Sequence, residues 1–557
     1  MHTPYPELNA RAQGWLKFVH RKATTPDDWS SAGQPRGWWD QYSTPPMTNF
    51  PRFDLADSTY AIALMADKTP AWREVYARIL DELVQRHTTY WAAVDWLTQI
   101  GPDPHRKIYP EAWKGTLIPT HLWGEYDAPG WTANGVEPWG LQPDPIRADG
   151  MLFYKGFFNL IMSLHRYVSG DDRWNRPFVV TGLENRQFEW THERVANHLT
   201  DQWRRNPEGP HCENTKIWPY CLSAAGLGLK MFDHVAGRRT HAVAEEWFDF
   251  ARRHYMTFED GKLKSVALYY DPIVNHVHHV GTGGGLAAAW YVLPQNAPLA
   301  EAMYLAAVEA IGWRNPRVPV AVPPDPRGLI MGAMLAREFG DVLTEARLHD
   351  TLERIADPRF FGIGEREFGF YFHYDEPWPR GQLSANLMVT EVADPGDWQR
   401  LFNKPNLAKF DQPTVEGIEF PTLGLSQAWN DLEHGMLQIR SYVATASERG
   451  RQTHFRVTKI PDVDSVFVRC NGEEFRGWSR LDDHTIDIAT NVDAATFQIY
   501  TGYRADHTRD AGFDYGDLGL GPSISTVSLA GAPASSVAVR MPPPKQLQRA
   551  MGCPCCA

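Results

Sequence analysis

The chain has 557 residues with 55 Lys and Arg against 67 Asp and Glu, a formal net charge of −12, which argues against a general nucleic-acid or anionic-membrane surface. With 43% hydrophobic, 12% aromatic and 22% charged residues it can bury a large core and lacks the low hydrophobicity of disordered chains. No apolar run reaches the roughly 18 residues of a membrane span, and six Cys in so long a chain form no disulfide framework.

The N-terminus, MHTPYPELNARAQGW, lacks a basic start followed by an apolar stretch, so no signal peptide is read and a cytoplasmic location is expected. To about residue 405 the apolar spacing is helical. Leu55, Ala56, Tyr60, Ala63 and Leu64 trace one stripe, and Pro70 precedes a second through Tyr76, Ile79, Leu80 and Leu83. Further helices are predicted over 153–169, 187–204, 218–236, 240–257, 297–312, 327–339 and 344–356. With no fixed-period repeat, an irregular ring of helical hairpins is favoured over a solenoid.

Beyond about residue 430 the period changes to alternation. Strands are predicted at 436–445, 453–460, 465–470, 484–490 and 495–502, with Asn471-Gly472 as a type I′ turn and edge strands within 520–540. The predicted organisation is a helical catalytic domain over 1–405, a linker over 406–429, a β-sheet domain over 430–545 and a flexible tail over 546–557. The tail carries Cys553, Cys555 and Cys556, too closely spaced for a regular two-knuckle metal site.

Three clusters invite chemistry. Trp38-Trp39-Asp40-Gln41-Tyr42 precedes Arg52-Phe53-Asp54-Leu55-Ala56-Asp57; an Asp among so many rings would be desolvated and raised in pKa, as a general acid requires, or else serve as a helix cap. Gly150-Met-Leu-Phe153-Tyr154-Lys155-Gly156-Phe157-Phe158 opens a helix in which Gly156 admits another backbone at close range. In His211-Cys212-Glu213 to Pro219-Tyr220-Cys221, one continuous helix would rotate the two thiols onto opposite faces. Cys212 is therefore placed in a loop and Cys221 in the first turn of the next helix, where the dipole favours thiolate; two ordinary buried thiols are the plainer alternative. His276, His278 and His279 lack an accompanying carboxylate pattern, and Gly281-Thr-Gly-Gly-Gly285 lacks the Lys of a phosphate loop, so neither a metal nor a nucleotide cofactor is expected.

In order and spacing these clusters resemble the linalool dehydratase/isomerase family over roughly residues 35–400. The resemblance rests on Cys212-Glu213 to Cys221, MLFYKGFFNL ahead of Gly170-Asp-Asp-Arg-Trp174, Tyr270-Asp271-Pro272 and LAREFGD at 335–341. It implies an (α/α)6 barrel and a cofactor-free lyase or isomerase acting on a terpenoid or other apolar alkene or allylic alcohol, by dehydration, isomerisation or cation-driven cyclisation. Carried over, Asp40 is the proton donor or acceptor, Cys212 and Cys221 assist as acid, base or nucleophile, and Tyr270 orients the polar group. Trp39, Phe53, Phe153, Tyr154, Phe157 and Glu213 are expected to line the substrate. The family also implies a homo-oligomer. Two departures stand out: Phe157 occupies the place of the family's catalytic His, and Phe53 that of an active-site Tyr. Both remove proton-transfer groups and leave a more apolar cavity, suited to a cation. A helical toroid followed by a β domain also resembles polysaccharide lyases and glycoside hydrolases, for which 22 Trp would supply sugar-stacking surfaces, and the two departures equally admit a noncatalytic ligand-binding barrel.

Overall fold

The computed structural model describes residues 5–41, 50–94, 143–212, 216–272, 275–323, 325–374 and 376–507. Its helices in chain order are α1 (Ala10–Thr24), α2 (Pro51–Lys68), α3 (Glu74–His87), α4 (Leu152–Ser169), α5 (His192–Arg205), α6 (Pro219–Ala236), α7 (Ala242–His254), α8 (Leu286–Val292), α9 (Ala297–Ile311), α10 (Arg327–Glu338), α11 (Val342–Ile355), α12 (Gly381–Val392) and α13 (Asp397–Asn403). Their ends follow local chemistry. Side chains of Asn9, Thr191, Asn296 and Asp341 cap helix starts, Pro51 and Pro219 occupy first-turn positions, and left-handed Gly170, Gly237 and Gly312 end α4, α6 and α9.

Strands also run through the first 400 residues, contrary to the all-helical expectation. β1 (Phe178–Thr181) pairs with β2 (Gln187–Trp190), β3 (Met256–Glu259), β4 (Lys262–Asp271) and β5 (His276–Gly281) form a three-stranded sheet, and β6 (Pro358–Phe361) pairs with β7 (Glu367–Phe370). The helix expected from 187 starts at His192 because Gln187-Phe-Glu-Trp190 alternates and pairs antiparallel with β1. His276, His278 and His279 lie in β5, with His278 stacked on Tyr269.

The C-terminal strands form two antiparallel sheets. β8 (Thr414–Glu416), β11 (Gln452–Thr458), β14 (Trp478–Asp482) and β15 (Thr485–Asn491) are ordered β14-β15-β11-β8; β9 (Leu423–Asp431), β10 (Met436–Val443), β12 (Phe467–Cys470), β13 (Glu473–Glu474) and β16 (Thr496–Tyr500) are ordered β13-β12-β16-β10-β9. Asn471 (φ 53°) and Gly472 (φ 89°) join β12 to β13 as that dipeptide predicts. The β region therefore begins at Thr414, and the expected linker over 406–429 contains β8 and most of β9. Nor does this region stand apart. Ala71 N–H donates to Ala428 O and Val415 N–H to Ala71 O, Leu8 N–H donates to Ser426 O, Lys17 Nζ reaches Ala444 O, and one contiguous apolar core runs through helices and sheets alike. Among the described residues no helix is long and apolar enough to cross a membrane. The expected strands of 520–540 and the Cys-rich tail lie outside the described residues.

Candidate active site

Helix α4 presents three different faces. Phe153 and Phe157, one turn apart, stack at 5.5 Å and meet Phe53 of α2 edge-on at 5.2 and 5.7 Å. A second face carries Gly156, where a Cβ would stand 2.9 Å from the Ala225 Cβ of α6, so the two helices touch almost backbone to backbone. The third carries Tyr154 and Phe158 against His87 of α3. The Tyr154 hydroxyl donates to His87 O at 2.7 Å and burial pushes the His87 imidazole down to about 3. Tyr154 therefore joins α4 to α3 and does not face Phe153 and Phe157, which corrects its assignment as a substrate contact.

The Cys212 segment closes on the start of α4. Phe153 N–H, in the first turn, donates to Cys212 Sγ at 3.2 Å, so the helix end that faces this sulfur is that of α4 and not of α6 as the sequence suggested. Such a position favours negative charge on the acceptor. Lys155 of the same turn donates to Ala148 O, and burial pushes its ammonium down to about 7 against the opposing pull of Asp149, Cys212 and Asp144. Cys221 is the third residue of α6, directly after Pro219 and Tyr220; both thiols are buried and neither forms a disulfide. Ile217 and Tyr270 exchange two backbone hydrogen bonds of 2.8 Å, and Lys216 lies 3.4 Å from Asp271 in a buried ion pair. The Cys-bearing segment and the Tyr-Asp-Pro segment are thus stapled side by side. The Tyr270 hydroxyl donates to Asn275 Oδ1 at 3.1 Å, and burial pushes it up to about 12. Glu213 lies outside the described residues.

The ring wall continues from Phe153 to Tyr220 (5.2 Å), from Tyr220 to Tyr291 (5.3 Å) and from Tyr291 to Tyr60 (6.0 Å). Tyr60 and Tyr291 are fully buried, whereas Tyr220 is partly open. Beside Tyr220, Arg327 pairs with Asp325 at 2.7 Å and its charge acts on both Tyr220 and Asp57.

Three carboxylates lie near this wall, and their partners distinguish them. Asp40 accepts from the backbone N–H groups of Gly381 and Gln382, both at 2.8 Å, and so anchors the start of α12. Its two oxygens are engaged as a helix cap, the second of the two roles that its sequence setting left open. Asp54 binds Lys22 Nζ through both oxygens, at 2.7 and 2.6 Å, in a buried pair. Asp57 is different. Its Oδ2 accepts from Gln382 Nε2 (2.9 Å) and Asn386 Nδ2 (2.8 Å), and the Tyr60 hydroxyl lies beside the carboxyl. Burial pushes this carboxyl up to about 7, opposed by the Gln382 and Asn386 amides and the nearby Tyr60 hydroxyl. Trp39 packs edge-on to Trp29 beneath Lys22 and Arg86 and joins the Asp40–Asp54 group, away from the Phe153 rings.

The structure thus gathers Cys212, Phe153, Phe157 and Phe53, with Tyr270 on the adjoining strand, while Asp40 caps α12 and Trp39 and Tyr154 pack against other neighbours. Sequence reasoning missed Asp57, Tyr60, Tyr220 and Tyr291 as a group, although Phe53, Asp57 and Tyr60 fall at the four- and three-residue steps that share one helix face. The LAREFGD segment proves to be architectural: Glu338 accepts from the Trp398 and Gln399 amides that begin α13, and Asp341 caps α11. A small apolar cavity of about 40 Å³, lined by Tyr220, Trp247, Tyr255, Val266 and Met303 among others, has room for little more than a water molecule. Among the described residues no group of three His, Cys, Asp or Glu could hold a metal ion.

Two solved structures align with most of the chain. Endoglucanase CelQ from Clostridium thermocellum, complexed with cellotriose, is 11% identical with a TM-score of 0.32, covering 92% of this chain and 96% of that one. Ara127N-Se, a GH127 beta-L-arabinofuranosidase from Geobacillus stearothermophilus T6, is 12% identical with a TM-score of 0.29, covering 87% and 75%. Likeness this loose carries no argument. The stretch that holds both buried thiols, Tyr270 and the rings of Phe153, Phe157, Tyr220 and Tyr291 lies within residues 120–361, and those residues match the model of the linalool dehydratase/isomerase family.

Proposed function

We propose that this protein is a lyase or isomerase of the linalool dehydratase/isomerase kind, acting without metal or nucleotide on an apolar, terpenoid alkene or allylic alcohol held in an (α/α)6 helical barrel. The observation that carries the reading is Asp57, a carboxyl fully buried beside a wall of rings, held near neutrality by burial and set beside the Tyr60 hydroxyl. Protonating a hydroxyl or an alkene requires a carboxylic acid that is still neutral at working pH, and desolvation supplies one. In this reading Asp57 takes the role of proton donor that the family resemblance implies for Asp40.

Once the C–O bond of an allylic alcohol breaks, water leaves and a delocalised cation remains. The faces of Phe53, Phe153, Phe157 and Tyr220 stabilise it, each well-placed ring contributing about 1 to 2 kcal/mol. Phe157 in place of the family's His removes a base that would quench the cation early, which favours isomerisation or ring closure over simple hydration. Cys212, at the start of α4, and Cys221 assist as acid, base or nucleophile, and Tyr270 orients the polar end. The family match supports the chemistry and the buried acid supports the direction of proton flow.

The test incubates purified full-length protein with monoterpenols and longer polyprenyl alcohols, without added metal or nucleotide, and follows isomeric, cyclic or dehydrated products by gas chromatography and mass spectrometry. Product formation that falls at least about a hundredfold in Asp57→Asn is expected. Turnover of glycans, or terpenol turnover that Asp57→Asn leaves intact, would refute the reading.

A further inference from the structure

Asp57 has 0% exposure and so cannot itself meet a substrate. A line of hydroxyls runs from it to Tyr220. Tyr60 stands one turn beyond Asp57 on α2. Its hydroxyl is 2.9 Å from that of Tyr291, which is 3.5 Å from that of Tyr220. Tyr60 and Tyr291 are both 0% exposed, and only Tyr220, at the end of the line, is partly open. Resting on the acid–base reading above, we infer that Tyr220 is the catalytic residue that hands the proton to the substrate, and that Tyr60 and Tyr291 position and relay it from Asp57.

Each phenol is a donor and an acceptor at once, which a relay needs. Burial pushes all three up from the ordinary tyrosine value, so none rests as phenolate and protons move by concerted hops. The rings are fixed: Tyr60 lies edge-on to Trp398 at 5.2 Å, and Tyr291 lies 6.3 Å from Phe157. The last link is long, as is common before substrate arrives. In the forward step the substrate oxygen takes the Tyr220 proton. Tyr220 takes that of Tyr291, Tyr291 that of Tyr60, and Tyr60 that of Asp57, which becomes carboxylate. The C–O bond then breaks with its electron pair going to oxygen, and water leaves. The carbon next to the cation gives up a proton to the Tyr220 oxygen, and the same hops in reverse return one to Asp57. The acid is thus restored, and the net change is loss of one water. In this chain the hydroxyls of Tyr220, Tyr291 and Tyr60 supply what Phe157 and Phe53 lack.

The test breaks the line in its middle with Tyr291→Phe, which keeps the ring. Infrared spectra of the full-length protein at about pH 5.5, where the acid is neutral, should show a carboxylic carbonyl band that Asp57→Asn removes. Subtracting the Asp57→Asn spectrum also sets aside Glu338, which burial holds up at about 8. On dilution into D2O, the isotope shift of that band should be at least about tenfold slower in Tyr291→Phe than in wild type, and kcat on a terpenol about a hundredfold lower with KM within about threefold. An unchanged exchange rate overturns the relay and leaves Asp57 as the acid. Absence of the Asp57 band overturns both. Should Tyr291→Phe fail to fold by circular dichroism, Tyr220→Phe, at the open end, replaces it: exchange at Asp57 retained with kcat lost supports the assignment, and kcat retained overturns it. If no alcohol is turned over, the exchange rates alone decide the relay.

Discussion

Replacing Asp57 by Asn should make the protein more stable and less active at once, and the size of the gain follows from its surroundings. Burial raises the folded-state value from 3.8 to about 7, a preference for the neutral form of roughly 4 kcal/mol. Asp57 is fully buried, so solvent screens little of this. A raised value means that the folded state binds more protons than the unfolded chain between about pH 4 and 7. The contribution to stability is therefore complete below about pH 4 and is lost as pH rises through about 7. An asparagine never ionises there, and its carbonyl can accept from the same Gln382 and Asn386 amides. At about pH 8.5 the variant should exceed wild type by roughly 2 to 4 kcal/mol, whereas at about pH 4 the two should agree within about 1 kcal/mol. Thermal unfolding at both pH values, beside turnover of a terpenol, measures the two effects together. An equal difference in midpoint at the two pH values would refute the argument, since no other part of the substitution depends on pH.

Turnover in wild type should fall as pH rises past about 7, because the acid form of Asp57 is then lost; a flat profile from about pH 6 to 9 would exclude Asp57 as the donor. Asp40→Ala removes the acceptor of two backbone N–H groups at the start of α12 and should lower stability by about 1 to 3 kcal/mol in thermal or urea unfolding. Its kcat per folded molecule should stay within about threefold of wild type; a hundredfold loss would return the acid role to Asp40. Gly156→Ala would push a methyl of α4 against Ala225 of α6 and should cost about 1 to 3 kcal/mol in thermal unfolding.

Much of this fold is legible in the sequence where one period persists. The stripes of α2, α3, α4 and α6 and the alternation of β10, β11 and β15 are long enough to read, and Pro219 places Cys212 in a loop and Cys221 in the helix. The strands near 178–190, 256–281 and 358–370 are mostly short and sit between helices, so their alternation was absorbed into neighbouring helical readings. β9 was hidden for another reason: from Leu423 to Asn430 every residue is buried, and a strand covered on both faces shows no alternation. The aromatic wall could be foreseen from the spacing of Phe153 and Phe157. Which of Asp40, Asp54 and Asp57 is the acid could not, because all three sit among rings and the choice depends on partners far along the chain: the Gly381 amide, Lys22 and Gln382.

The hydrogen bonds between the first helix and the last sheets also set an order of events on the ribosome. Lys17 of α1 and the Leu8 amide find their partners at Ala444 and Ser426, and the Ala71 backbone finds its own at Val415 and Ala428. Some 400 residues separate these groups, and at cellular elongation rates they wait on the order of 20 to 80 s for one another. During that interval α1 can pack against α2 and α3 but cannot make these hydrogen bonds, so the helical part remains a provisional assembly that nascent-chain chaperones can still engage. These bonds form only when β8 to β10 emerge, which makes those strands the step that locks α1 and the Ala71 turn in place.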